Sequence, residues 1–241
     1  MKKDKIFARK KRLIKDFNFG KETAGVFDDM LLRSVPFYPE IQRMIGEIAS
    51  DFAVEGTNIY DLGCSTCTTF IALDKMVQEG VQFVGIDSSN EMLARARQKL
   101  ADHGVTRACE LVCAYLNQGV QIENASMAIL NLTLQFVRPL YRHKLISSIA
   151  RGMNKDGCLV LVEKVLSGDS TLNRFFIKYY HAFKERNGYS EMEISQKREA
   201  LENVLIPYRV EENRELLLNN GFSSCELFFK WYNFSGLIAL K

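Results

Sequence analysis

A mostly parallel, seven-stranded β-sheet with helices on both faces, closed at its C-terminal end by an antiparallel hairpin, is the fold this sequence predicts. Three observations predict it. From Thr57 onward short apolar runs alternate with longer amphipathic ones, as in a parallel sheet flanked by helices. A glycine turn, Leu62-Gly63-Cys64-Ser65, separates the first run from the first amphipathic segment. The C-terminal stretch instead holds two strand-like runs joined by a short turn, the connection of an antiparallel pair.

In chain order, residues 21 to 35 and 40 to 53 are expected to be helical, the second from Ile41, Met44, Ile45, Ile48, Ala49 and Phe52 on one face. Pro36 and Pro39 bracket the joint, placing Phe37 and Tyr38 in a constrained non-helical turn. Strands are expected at Asn58 to Leu62, Gln82 to Ile86, Ala108 to Val112, Met127 to Leu130 and Cys158 to Val162, with helices at Thr68 to Gln78, Asn90 to His103 and Pro139 to Met153. A long helix then places Leu172, Phe175, Phe176, Tyr179, Tyr180 and Phe183 on one aromatic face, a core or subunit contact or else a wall of a substrate pocket. Ser190 stands three residues before Glu193, a capping box opening another helix. A helix from Glu212 to Asn219, a stop at Gly221, and strands from Cys225 to Trp231 and Gly236 to Leu240 complete the chain.

The composition, 47% hydrophobic and 25% charged over 241 residues, is that of a soluble, packed domain and excludes widespread disorder. Residues 1–19 read as a basic, flexible arm, and 20–241 as a single domain with a helical N-terminal lid and a helical insertion at about 169–205. The net charge of +3 hides a division: residues 1–16 hold eight basic and two acidic side chains, while the other 225 hold 24 and 27. A body of that sign is not expected to grip nucleic acid, which draws on many uncompensated cations. No apolar run reaches bilayer-spanning length, so a cytoplasmic address and no membrane partner are expected. The six cysteines read as reduced thiols, with Cys109 and Cys113 turned into packing, and the three histidines lack metal spacing, so no metal is expected.

The chemistry concentrates after the first strand, in Asp61-Leu62-Gly63-Cys64-Ser65-Thr66-Cys67. In doubly wound α/β folds a ligand sits at the carboxyl ends of the strands, where glycine lets the backbone approach it. Asp87, ending the second strand 26 residues after Asp61, is placed to accept hydrogen bonds from ribose hydroxyls. The incomplete glycine motif speaks against a dinucleotide and leaves room for an adenosine-type ligand without phosphates. Asn131, after the fourth strand, would bring an amide to the same cleft.

Read together, Arg33-Ser34-Val35-Pro36-Phe37-Tyr38, Tyr60 to Ser65, Ile122 to Phe136, Asn187 to Arg198, Ala200 to Val204 and Asn233 to Lys241 resemble the carboxy-S-adenosyl-L-methionine synthase family. That family is a branch of the Rossmann-like S-adenosylmethionine-dependent methyltransferases, and the resemblance runs from about residue 20 to the C-terminus. The Gly188-Tyr189-Ser190 to Lys197-Arg198 segment is its most specific part. The resemblance implies an enzyme converting S-adenosyl-L-methionine and prephenate, through a sulfonium ylide, to carboxy-S-adenosyl-L-methionine and phenylpyruvate. It further implies a homodimer whose product serves a tRNA carboxymethyltransferase acting on wobble uridine. Tyr38, Gly63, Cys64, Ser65, Asp87, Ser88 and Asn131 would surround the nucleoside and amino-acid parts, and Arg198 would hold the added carboxylate. No catalytic base is assigned.

Two departures stand out. Cys67 replaces a loop glycine and is expected to narrow the space beside the cofactor. Where the family carries an acid after the third strand, this chain has Ala114-Tyr115-Leu116-Asn117, leaving Tyr115 and Leu116 to face adenine. Two other readings are a methyltransferase acting on a small molecule or RNA, and a binding or scaffold protein that kept the fold.

Overall fold

The structure, a computed structural model, describes residues 2–241. Residues 2–20 form neither helix nor strand, and the chain then enters α1 (Lys21–Ala24), α2 (Phe27–Ser34) and α3 (Tyr38–Phe52). The predicted helix over 21–35 is thus split, at Gly25 and Val26. Tyr38 opens α3 instead of lying in a turn, with Pro39 in its first turn, where a missing N–H costs nothing. The constrained residue is Phe37 alone, in the left-handed region at φ 55°.

The sheet and its helices follow in order: β1 (Asn58–Leu62), α4 (Thr68–Leu73), β2 (Gln82–Asp87), α5 (Asn90–Asp102), β3 (Cys109–Cys113), β4 (Ala125–Asn131), α6 (Pro139–Gly152), β5 (Met153–Leu166), α7 (Ser170–Arg186), α8 (Glu191–Leu201), β6 (Tyr208–Arg209), α9 (Val210–Leu218), β7 (Ser224–Trp231) and β8 (Phe234–Leu240). The main sheet runs β3-β2-β1-β4-β5-β8-β7, and the two-residue β6 adds to β5. Pairings from β3 to β5 are parallel, whereas β8 runs antiparallel to both β5 and β7. Strand order reverses between β1 and β4, so a crevice opens at their carboxyl ends.

Each face of the sheet buries its own core. Ile59, Phe83, Met127, Ile129 and Val160 pack under α3 and α4, and Leu62, Ala128, Leu130, Leu159 and Leu161 pack under α6 and α9. Alternate residues of one strand serve opposite cores, as the period of two demands. The antiparallel β8 joins in from both sides, with Phe234 in the first core and Leu237 in the second.

Two elements differ in length from expectation. Helix α4 stops at Leu73, because the Arg107 guanidinium bonds to the carbonyls of Asp74, Val77, Gln78 and Val81, turning that segment into a side-chain-held loop. Strand β5 runs on to Leu166, since pairing with β8 continues through Glu163↔Ser235 and Lys164↔Phe234. That extension carries Lys164 to the mouth of the crevice. The capping box at Ser190 is present as predicted, and Asp169 caps α7 by accepting from Leu172 N at 2.8 Å.

The N-terminal arm departs most from expectation. Its backbone docks on the body while most of its basic side chains stay in solvent. Asp4 and Phe7 are buried, and the Tyr189 hydroxyl donates to Asp4 Oδ2 at 2.6 Å. The Gln196 amide donates to the carbonyls of Phe7 and Arg9 and accepts from Lys11 N, and Phe17 N bonds to Ala200 O. The docking uses backbone groups together with the Asp4 carboxylate and the Phe7 ring, none of which a net charge registers.

Candidate functional site

At the carboxyl ends of β1, β2 and β4 lies a cleft of about 460 Å³, within the usual range for small-molecule sites. Its floor begins with the loop after β1. Gly63 has φ 85°, and a Cβ there would overlap Thr133. Ser65 and Cys67 also adopt left-handed backbone, at φ 47° and 57°. Such conformations cost on the order of 1 kcal/mol each for non-glycine residues and concentrate at ligand clamps.

Cys67 thus occupies a glycine-type conformation, as its position predicted, but the expected narrowing does not occur. Its side chain is fully buried in the core between α3 and α4 and does not line the cleft. Replacing glycine here strains the backbone and leaves the ligand space open. Cys113 also differs from expectation, being exposed while Cys109 is half-buried.

Asp87 accepts from Ser65 N at 3.0 Å through Oδ2 and from Ser89 N at 2.8 Å through Oδ1. Ser89, not Asp87, caps α5, its Oγ accepting from Met92 N at 3.1 Å. The Asp87 carboxylate therefore faces the cleft and keeps lone pairs for further donors. Behind it Asp61 is buried, and its carboxyl is pushed up to about 7 by burial, with the Asp87 charge acting in the same direction. Asn131 ends β4, and its Oδ1 is buried with no hydrogen-bond partner among the described residues. A buried acceptor without a donor is uncommon in a native protein. Here it faces the cleft, where an amino group of a ligand would satisfy it.

All ten residues singled out from the sequence line this one cleft: Tyr38, Gly63, Cys64, Ser65, Asp87, Ser88, Tyr115, Leu116, Asn131 and Arg198. Tyr115 is exposed at the rim, and no acid accompanies it on the segment after β3. Arg198 is exposed at the mouth, while its neighbour Lys197 turns inward, 3.2 Å from Ser34 Oγ and 3.9 Å from Asp4. Consecutive residues on a helix diverge by about 100°, which separates the two cations.

Sequence reasoning missed two groups. Phe17, Phe19, Phe27 and Phe136 form an apolar side of the cleft, with Phe19 edge-on to Phe17 and Phe136 at 5.1 Å. Phe17 and Phe19 end the arm, whose charge pattern carries no sign of an apolar cleft wall. Lys164, His181, Lys184 and Lys197 come from β5, α7 and α8 and share no motif. The aromatic helix α7 divides its face: Tyr180 lines the cleft, while Leu172, Phe175 and Tyr179 stay exposed.

A Rossmann-like sheet with an antiparallel terminal hairpin, a glycine turn after β1 and an acid ending β2 defines the class of S-adenosylmethionine-dependent methyltransferases. The profile described as "Methyltransferase domain" matches residues 59–157. An S-adenosylmethionine-dependent methyltransferase of Aquifex aeolicus superimposes with a TM-score of 0.61 at 17% identity, covering 93% of this chain and 99% of its own. An O-methyltransferase family protein of Burkholderia thailandensis gives 0.64 at 13% identity, over 95% and 65%.

The sequence relatives are more specific. A carboxy-S-adenosyl-L-methionine synthase of Methylococcus capsulatus is 57% identical over 242 residues, covering 100% of both chains. Another from Sulfurimonas denitrificans is 44% identical over 99% of each. The chain belongs to the carboxy-S-adenosyl-L-methionine synthase family, and the likeness includes the N-terminal arm as well as the domain.

Proposed function

We propose that this enzyme converts S-adenosyl-L-methionine and prephenate to carboxy-S-adenosyl-L-methionine, phenylpyruvate and water. The balance is closed without a further reactant: the ring of prephenate loses carbon dioxide and hydroxide as it aromatises, the sulfonium methyl loses a proton, and the methylene carbon takes up the carbon dioxide. Hydroxide and proton leave as water. The residues present fit the nucleoside substrate. Asp87 would accept from the ribose hydroxyls, Asn131 Oδ1 from the amino group, and Gly63, Cys64, Ser65 and Ser88 would hug the amino-acid part. Tyr115 and Leu116 would cover adenine, and Tyr38, buried beside Asp61, would wall the sulfonium end.

The observation that carries this reading is Arg198, a cleft-facing guanidinium with no ion pair or side-chain hydrogen bond among the described residues. A planar guanidinium meets a carboxylate with two charge-assisted bonds, which an uncarboxylated sulfonium could not reciprocate. Incubation with S-adenosylmethionine and prephenate should yield the carboxylated product by mass spectrometry. Binding of S-adenosylmethionine without consumption of prephenate would move the assignment to methyl transfer. Arg198→Ala should lose the preference for the carboxylated ligand while retaining S-adenosylmethionine; equal loss of both would make Arg198 structural.

In the same reading the enzyme works in the cytoplasm as a homodimer, and its product is consumed by a tRNA carboxymethyltransferase modifying wobble uridine. Four of the six free cysteines are buried, which suits a reducing compartment. No helix among the described residues is long and apolar enough to cross a membrane. Size exclusion with light scattering tests the dimer.

A further inference from the structure

Opposite the nucleoside loop, the cleft gathers Lys164, Lys184, His181 and Arg198, and none of these side chains makes a hydrogen bond or ion pair among the described residues. Lys184 is buried, and Lys164 is half-buried beside it. Their ammonium groups sit over one aromatic ring, that of Tyr180, at 4.5 and 5.2 Å from its centroid. The ring faces soften the charge but satisfy none of the three donors on each ammonium. The Tyr180 hydroxyl likewise has no partner among the described residues. Two lysines converging without an acid are unusual, because a buried cation is normally paired. Burial and the neighbouring charges of Lys164, Lys197 and Arg198 push Lys184 down to about 7.

Two other lysines in and behind the cleft are paired. Lys197 has Asp4 and Ser34, and Lys99, behind the loop, has Asp28 and Thr68. Among the described residues, only the group around Tyr180 combines convergence, burial and a complete lack of acceptors, and it opens into the cleft. Its elements also fix it firmly: Lys164 stands in the β5–β8 ladder opposite Phe234, and the Tyr180 ring packs at 5.2 Å against that same Phe234.

We propose that Lys164 and Lys184, flanking Tyr180, form a second carboxylate subsite, distinct from Arg198, that binds the 2-oxo-acid side chain of the co-substrate. The inference rests on the synthase reading for its ligand, since prephenate carries two carboxylates: one leaves the ring and is transferred, and the other stays on the side chain. Arg198 receives the first after transfer. The lysine pair holds the second throughout, so the group that remains in phenylpyruvate is anchored while the ring carboxylate departs. Two separated cationic points would also orient the ring, because one carboxylate on each fixes a direction that a single contact leaves free.

Phenylpyruvate isolates this subsite, since it keeps the side-chain carboxylate and has lost the ring one. By calorimetry it should bind wild type and Arg198→Gln alike, and about tenfold or more weakly to Lys164→Gln and Lys184→Met. Lys184→Arg should recover part of that loss. The ligand-free Lys184→Met protein should melt no lower than wild type, because the substitution removes an unpaired buried charge, and this separates a lost contact from a damaged fold. Unchanged phenylpyruvate affinity in the two lysine variants would overturn the subsite, whether or not the enzyme makes product. If wild type makes no carboxylated product yet phenylpyruvate binding depends on both lysines, the subsite stands and the synthase reading falls.

Discussion

On the β1–β2–β4 side of the cleft, polar groups arrive already organised by backbone: Asp87 holds the N–H groups of Ser65 and Ser89, and Gly63 N and Cys64 N both bond to Ile86 O. On the side built by α7, α8 and the end of β5, the side chains of Lys164, Lys184 and Arg198 have no hydrogen-bond or ion-pair partner among the described residues, the two lysines facing only the Tyr180 ring. The first side is preorganised in the free protein and would change little when a nucleoside docks. The second is under electrostatic tension until an anion arrives. In the proposed reading such a cleft would bind the sulfonium nucleoside by shape on one side and a dianionic co-substrate by charge on the other, so the two ligands would not compete for the same groups.

The largest expected effect breaks the organised side. Gly63→Ala forces a side chain into a left-handed backbone against Thr133, at a cost of roughly 2 kcal/mol. Thermal unfolding should fall by about 4 to 8 °C, and S-adenosylmethionine binding should be lost by calorimetry. Next, Asp87→Ala removes the proposed ribose acceptor together with two backbone anchors, and affinity for S-adenosylmethionine should drop about 30- to 100-fold, with phenylpyruvate binding changed less than threefold. The reverse pattern would mean that the two sides are not separable.

An intermediate effect concerns the arm. Deleting residues 2–16 strips Gln196 of its three backbone partners and exposes the Tyr189–Lys197 region that Asp4 covers. Since Arg198 rides on the same helix, affinity for the carboxylated product should fall about tenfold while S-adenosylmethionine affinity falls less. Equal affinities before and after deletion would reduce the arm to an ornament of the surface.

The smallest effect is a slope. Lys184 binds its proton less tightly in the folded protein than in the unfolded chain, so between about pH 7 and pH 10 the unfolded state carries more protons and stability contributed by this group rises with pH. The sign follows from a lowered lysine value; Glu163, held protonated up to about 8 by burial, contributes the opposite slope below pH 8. Lys184→Met should reduce the rise of the melting-temperature profile between pH 8 and pH 10, the remainder belonging to Lys197 and Lys164, which burial also holds below the usual lysine range, and an unaltered profile would show that the ammonium is well solvated.

The same contrast explains what the sequence made legible. The organised side is contiguous: Asp61 to Ser65 is one loop, Asp87-Ser88 ends the next strand, and Asn131 ends the fourth, so order and spacing sufficed to place them. Lys164, Lys184 and Lys197 lie on three elements, and each taken alone is an ordinary lysine beside other charged residues. Their convergence depends on β5 running past Val162 and on the turn at Gly188, which is set by a left-handed glycine at φ 82° and not by any hydrophobic period. Likewise the strand assignments held because apolar alternation reports burial, whereas the end of α4 was missed because Arg107, more than thirty positions away from Asp74 and nearly as far from Gln78, supplies the groups that end it.

The contacts that dock the arm join residues some 185 positions apart: Tyr189 with Asp4, and Gln196 with Lys11 and Phe7. Contacts of such sequence separation form late and slow the search for the native state. Residues 4–11 must therefore wait for α8 before they find their seat. A chain interrupted before residue 190 would keep the nucleoside loop and the two lysines that flank Tyr180, but it would lack Arg198 and the helix on which the arm is seated.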